Sequence, residues 1–195
     1  MVHHEGLLEL DAIYLFEASP LIVRYREQPT TIRYPDGNRL RRYTPDFELL
    51  LTTGEIVMIE IKPIRRLRTE EVQHTFECIS DHMRRNGIPF AILTDLAIRD
   101  EPRLANLKWI YHQAARVPPT SSALAVALNK HEPAFPTSIS AANRLFDGTG
   151  IDACSFLLAG RLRCDLNRPV ALSTTLTVTT EANHDWFRVT EEHRF

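Results

Sequence analysis

The sequence predicts an α/β layer fold followed by a smaller, helix-rich module. Three observations point there. A leading helical segment precedes a run of β-branched and aromatic stretches punctuated by turn residues. Two later segments of helical period enclose the short apolar run "IPFAILTD". Finally, "VPPTSS" at 117–122 breaks both periodicities before a second set of helices.

Residues 5–17 (EGLLELDAIYLFE) read as a helix with leucines and aromatics on nearly every side, hence a buried one. Antiparallel strands follow at about 21–26, 30–34, 45–52 and 55–62, broken by Pro35-Asp36-Gly37 and Thr53-Gly54. Helical spacing of Val72, Phe76, Ile79 and Met83 predicts a helix over 69–86. Thr69 stands at its N-cap, glutamates fill its first turn and Gly87 stops it. Residues 88–95 suit a buried strand, and 100–116 another helix with Pro102 in its first turn. Together these elements define a first domain at 1–117. In the remainder, 118–195, helices fall at about 121–130, 138–147 and 150–159. The stretch 160–178 then alternates like a two-stranded wing turning near Asn167-Arg168-Pro169, so the second domain is expected to be winged-helix-like. The tail beyond 180 carries no clear periodicity.

The 195 residues are 44% apolar and 25% charged, an ordinary soluble composition. No run approaches the roughly 20 apolar residues that span a bilayer. The first residues lack a basic n-region and a small-residue cleavage site, so the expected location is cytoplasmic. Cys78, Cys154 and Cys164 form no C-x-x-C pair and read as small buried apolar residues. His3 and His4 are adjacent and so diverge on a helix; His74 and His82, two turns apart, show no partners, and none is expected to ligate zinc. Trp109 and Tyr111 read as core. The net charge of −2 matters more, because a protein that grips DNA alone is usually basic. If this chain acts on DNA, partners must help to hold it there.

The chemistry concentrates in "RRYTPDFELLLTTGEIVMIEIKP" (41–63). Its strands are apolar, yet Asp46 opens the first, and Glu60 and Lys62 close the second. A hairpin turning near Thr53 sets Asp46 opposite residues close to 60, and strand geometry points 60 and 62 to the same face. Two carboxylates and an ammonium therefore converge. Carboxylate oxygens are preferred Mg²⁺ ligands, a bound metal lowers the pKa of its water, and a lysine can orient that water. Such a set is suited to hydrolysing a phosphodiester. The plainer reading is a turn-capping Asp46 beside a surface Glu60/Lys62 pair. Arg39, Arg41 and Arg42 before the set, and Arg65, Arg66 and Arg68 after it, are candidate phosphate contacts, with a solvated basic surface as the alternative.

The segment resembles the PD-(D/E)-x-K nuclease superfamily, with Pro45-Asp46 and Glu60-Ile61-Lys62 as the motif. "LELDAIYLFEASP", "REQP", "RYTPDF" and "EIKP", in that order, narrow the resemblance to the TnsA family, the endonuclease subunit of heteromeric transposases. It covers about 7–178. The resemblance implies a restriction-endonuclease-like core that nicks the 5′ strands of transposon ends with Mg²⁺, for which Mn²⁺ can substitute. It also implies a DDE-type transposase partner, and an AAA+ ATPase regulator engaged by the C-terminal domain. A third acid on the first helix follows from it: Glu5, Glu9, Asp11 and Glu17 are candidates, and the family pattern falls on Glu9, with Glu17 structural. The backbone carbonyl of Ile61 is a further implied metal ligand. Gln28 borders the same region, with its role open. Unlike some relatives, the glutamate helix begins almost at Met1. The rival readings are a restriction-type or junction-resolving nuclease of the same superfamily, and a non-catalytic assembly module.

Overall fold

The computed structural model describes residues 4–180, 187–190 and 195. His3, the side chain of Glu5 and most of the tail lie outside the described residues. Two compact units emerge. One gathers the chain up to Ile13 with Leu21–Asp100 and Val189–Phe195; the other holds Tyr14–Pro20 and Glu101–Arg188.

The first unit opens with the N-terminal part of α1 (His4–Ala18). There Leu8, Asp11 and Ala12 are buried while Leu7 and Leu10 stay exposed, so the helix is one-sided where near-complete burial was expected. The strands are β1 (Ile22–Glu27), β2 (Ile32–Asp36), β3 (Arg39–Tyr43), β4 (Phe47–Leu51) and β5 (Ile56–Ile61). After α2 (Ile64–Leu67) and α3 (Glu70–Arg85) come β6 (Phe90–Leu93) and α4 (Asp95–Ile98). The main sheet runs β1-β4-β5-β6, antiparallel except for the β5–β6 pair. That parallel pair needs a crossover, which α2 and α3 supply. Gly54, at φ 84°, takes a left-handed conformation that a side chain resists, and it closes the β4–β5 hairpin at the predicted place. Gly87, at φ 66°, likewise follows the end of α3.

Strand β3 was not expected. Its sequence RLRRY lacks apolar alternation, and four of its five residues are exposed; it forms because it pairs with β2 in a separate two-stranded ribbon. The ribbon has its own core with α3: Tyr34, Phe76, Ile79 and Met83 are buried, and Tyr43, Met58, Cys78 and Phe90 pack against them.

The second unit contains α5 (Arg103–Gln113), α6 (Ser121–His131), a 3₁₀ turn (Glu132–Ala134), β7 (Thr137–Ser138), α7 (Ile139–Leu145) and α8 (Ala153–Leu158). Strands β8 (Leu162–Arg163) and β9 (Thr175–Val178) complete it. Thr120, Ser138 and Asp152 each cap a helix by accepting from a backbone N–H in its first turn. The sheet order is β7-β9-β8, so the two expected strands gain a third from the loop before α7. Phe146 and Phe156 meet at the core with ring centroids 4.6 Å apart.

The units divide after Asp100 and not at 117. The reason is α5, which buries Leu104, Leu107 and Ile110 within the second unit and packs on α8. Asn106 on this helix is 4% exposed and holds the segment between β8 and β9. Its Nδ2 donates to the carbonyls of Leu166 (2.9 Å) and Arg168 (2.8 Å), and its Oδ1 accepts from Val170 N (2.8 Å). Among the described residues, no helix is long and apolar enough to cross a membrane.

Three backbone groups lose their partner if Asn106 is truncated. Asn106→Ala is expected to cost about 2–4 kcal/mol, at roughly 1 kcal/mol per bond plus burial of unpaired groups, read from the midpoint of urea unfolding. A change below about 0.5 kcal/mol would mean that water replaces the amide.

Candidate active site

Strand β5 carries an unusual burden at its C-terminal end. Val57, Ile59 and Ile61 alternate into the core on one face, which places Glu60 on the other, beside Met58 and the ribbon. Glu60 is 4% exposed. An unpaired carboxylate there would be strongly unfavourable, and the surrounding structure answers that cost. Tyr43 donates its hydroxyl to Glu60 Oε2 at 2.7 Å, and Lys62 Nζ lies 3.0 Å from Oε1. The pairing of 60 with 62 across one strand face is the geometry expected from the sequence.

Asp46 sits immediately before β4. Its Oδ2 accepts from Ile61 N at 2.7 Å, tying the end of β5 to the residue before β4, beyond the Phe47–Ile59 register pair. Its own carbonyl accepts from Gln28 N at 2.8 Å. Gln28 is left-handed (φ 43°), the one non-glycine residue described with positive φ. That conformation is sparsely populated and persists where the surroundings dictate it. Here it turns the chain out of β1 so that its N–H meets the residue before β4. The E-Q-P segment thus has a definite task.

Electrostatics register the crowding. Burial raises the Glu60 pKa above the ordinary carboxylate range, and the Asp46 charge raises it further; Tyr43 and Lys62 pull it back only in part. Tyr43 is pushed far above an ordinary tyrosine by burial and then by Glu60, so it stays a neutral donor. Two carboxylates that repel each other, in a setting of hard oxygen donors, suit a divalent cation such as Mg²⁺.

The helix acids separate clearly. Asp11 is buried and accepts from Arg99 Nε at 2.6 Å. Glu9 is half-buried and Glu17 exposed. Among the described residues, the oxygens of Glu9, Asp46 and Glu60 do not gather within 4.8 Å of one another. The structure joins Lys62 to Glu60 and Asp46 to the Ile61 amide by direct contacts, with Glu60 feeling the Asp46 charge.

Both arginine clusters are exposed. Arg39, Arg41 and Arg42 line β3, where Arg41 Nε pairs with Asp36 Oδ2 at 2.6 Å and Arg42 stands opposite Arg33 in the ribbon. Arg65 and Arg66 lie on α2 and Arg68 at its end. Beside them a cleft of about 290 Å³ is lined by Leu8, Pro63, Arg65, Asp95 and Arg99. It lies just beyond the C-terminal ends of β5 and β6, where α/β sheets commonly receive ligands. Tyr43, Arg99 and Asp95 were missed in the sequence. Tyr43 had a signal, because it adjoins the Pro-Asp motif; Arg99 and Asp95 had none.

This mixed α/β sheet, with two carboxylates and a lysine at one end, is a nuclease-like fold. Residues 19–95 match the family model of the TnsA-like endonuclease N-terminal domain, which supports a TnsA-like endonuclease. Among curated proteins no relative matches.

Two outcomes follow. Tyr43→Phe leaves Glu60 Oε2 buried without its donor and is expected to cost about 1.5–3 kcal/mol in chemical denaturation, the range for a hydrogen bond to a charged group. For Glu60, the raised folded pKa means that the native state holds a proton more tightly than the unfolded chain. Metal-free stability should therefore fall as pH rises from the unfolded value through the folded one. Glu60→Gln removes this slope, so its melting temperature should exceed wild type by more at neutral than at acidic pH. A gap that widens toward acid would reverse the assigned sign.

Proposed function

We propose that the chain is a Mg²⁺-dependent DNA endonuclease subunit of a heteromeric cut-and-paste transposase, hydrolysing phosphodiesters on the 5′ strands of transposon ends. The observation that carries this reading is the buried Glu60 beside Asp46, held by Lys62 and Tyr43 at the end of β5. Asp46 and Glu60 would hold the metal, with the Ile61 carbonyl and Glu9 as further ligands. Bound Mg²⁺, or Mn²⁺ in its place, would lower the pKa of water and offset charge developing on phosphorus.

The chain's own residues do the rest. Lys62 presents its ammonium on the same strand face as Glu60, where it can orient the attacking water or bind a non-bridging phosphate oxygen. Tyr43 keeps the Glu60 carboxylate in one orientation. Arg39, Arg41 and Arg42 on the ribbon, and Arg65, Arg66 and Arg68 around α2, would grip the DNA backbone on either side. Arg33 facing Arg42 supports this: like charges placed directly opposite are unfavourable unless an anion lies against them. Arg65 and Arg99 in the cleft suit a phosphate in the same way.

For the second unit we propose a winged-helix-like module. The strand order β7-β9-β8, with α7 and α8 between β7 and β8, supports it. This module would meet DNA and an AAA+ ATPase regulator, while a DDE-type transposase subunit cuts the opposite strands. The net charge of −2 fits a nuclease that depends on those partners for DNA affinity.

The test is nicking of a labelled transposon-end duplex with Mg²⁺ and candidate transposase and regulator present. Asp46→Ala and Lys62→Ala should each lower 5′-strand nicking by about a hundredfold or more while complex assembly persists. Unchanged nicking in both variants would leave these residues structural and end the nuclease reading.

A further inference from the structure

A second cluster of ligand-bearing side chains lies in the first unit, away from the Asp46–Glu60 pair. His74 and Cys78 are four residues apart on α3 and so share a face. Asp36, at the end of β2, reaches them from the ribbon. Asp36 Oδ1 is 2.8 Å from His74 Nε2, Cys78 Sγ is 3.7 Å from the same nitrogen, and one ligand atom from each residue falls within 4.8 Å of the others.

The contacts discriminate between two chemistries. In a nucleophile–histidine–acid relay the imidazole works through opposite nitrogens, one toward the nucleophile and one toward the acid. Here thiol and carboxylate both converge on Nε2, which cannot relay between them. Three different donors converging on one point can share a cation in place of the direct His74–Asp36 contact.

We propose that Asp36, His74 and Cys78 form a zinc-class transition-metal site that fastens the β2–β3 ribbon to α3. A thiolate, an imidazole and a carboxylate with water in the fourth position is a zinc donor set, and the sulfur selects against Mg²⁺. The size fits. Zn–S of about 2.3 Å and Zn–N or Zn–O of about 2.0 Å at tetrahedral angles place S and N about 3.5 Å apart, and N and O about 3.3 Å apart. The sulfur is already at that spacing from Nε2, and the carboxylate needs to move outward by about half an ångström. Arg41 holds the other oxygen, Oδ2, at 2.6 Å, and so orients Asp36 as outer partners of metal ligands usually do. His74 is largely exposed and Cys78 partly so, leaving the site open to metal from solvent.

The expectation that His74 lacks a partner is corrected by Asp36, while Cys78 packs against the ribbon core as expected and also turns its sulfur toward His74. The partner lies 38 positions away in the sequence, on the far side of a ribbon.

The experiment is a Co²⁺ titration of the full chain, followed by absorbance. Wild type should develop a near-ultraviolet sulfur-to-cobalt charge-transfer band at one equivalent, bleached by Zn²⁺ and untouched by excess Mg²⁺. Cys78→Ser should abolish the band, and His74→Gln should weaken Co²⁺ binding at least tenfold, both with unchanged far-ultraviolet circular dichroism. Cys164→Ser and Asp46→Asn should retain it. Absence of the band in wild type, or its persistence in Cys78→Ser, would overturn the site. Because Asp46→Asn disables only the proposed nuclease centre, failure of that reading would leave this result intact.

Discussion

The rest of the first unit is organised around one unfavourable act, the burial of the Glu60 carboxylate at the end of a core strand. Hydrophobic alternation along β5 supplies the position, and nothing in that alternation wants a charge there. Two neighbours make it tolerable in different ways: Tyr43 supplies a hydrogen bond from a hydroxyl that burial keeps protonated, and Lys62 supplies opposite charge. Asp46 works against them, although its Oδ2 is engaged by the Ile61 amide. Compensation is incomplete, as the raised pKa of Glu60 records. Residual instability of this kind is typical of sites held ready for a ligand.

That requirement explains the ribbon. Tyr43 can reach Glu60 only if β3 lies over α3 and β6, and it is wedged there edge-on against Phe76 and Phe90. Thr31 and Thr44 hydroxyls join at 2.7 Å across the open end of the ribbon, fixing the residue next to Tyr43. On the other side of Asp46, the strained Gln28 does the equivalent for β1. The Thr31–Thr44 link and the left-handed Gln28 thus flank one carboxylate pair, while β1 carries a register shift of its own between Ile22 and Arg24.

What could be read in advance follows the same division. Period-two and period-3.6 patterns located β4, β5, β6 and α3 to within a few residues, because each of those elements buries one face. Strand β1 was located by its turn-bounded run of β-branched and aromatic residues, although none of it is fully buried. Strand β3 escaped, since RLRRY gains its order from pairing with β2 and not from burial. The short helices α2 and α4 escaped too: four residues carry no period, and α2 begins where Asp95 accepts from Ile64 N at 2.7 Å, a contact spanning 31 positions. The grouping of α5 with the later helices was not legible, because a helix pattern states that a face is buried without naming the partner. Convergence of Asp46, Glu60 and Lys62 was legible because a tight hairpin fixes register. The pairing of Asp11 with Arg99 was not, since it depends on how α1 and the end of α4 are brought together.

The ribbon also links its two ends mechanically. Asp36 lies beside the turn, tied to α3 through His74, while Tyr43 lies at the open end, tied to β5 through Glu60. About four residues of strand separate these anchor points, roughly 13 Å at the usual rise. A paired ribbon resists bending over that length, so a constraint on Asp36 limits how far Tyr43 can drift from Glu60. Asp36 already bears two loads, His74 on one oxygen and Arg41 on the other. Replacing the His74 hydrogen bond with a metal–ligand bond would stiffen the anchor without moving it far. The orientation of a buried carboxylate would then depend on a surface site with softer donors, and the two centres would answer to different cations.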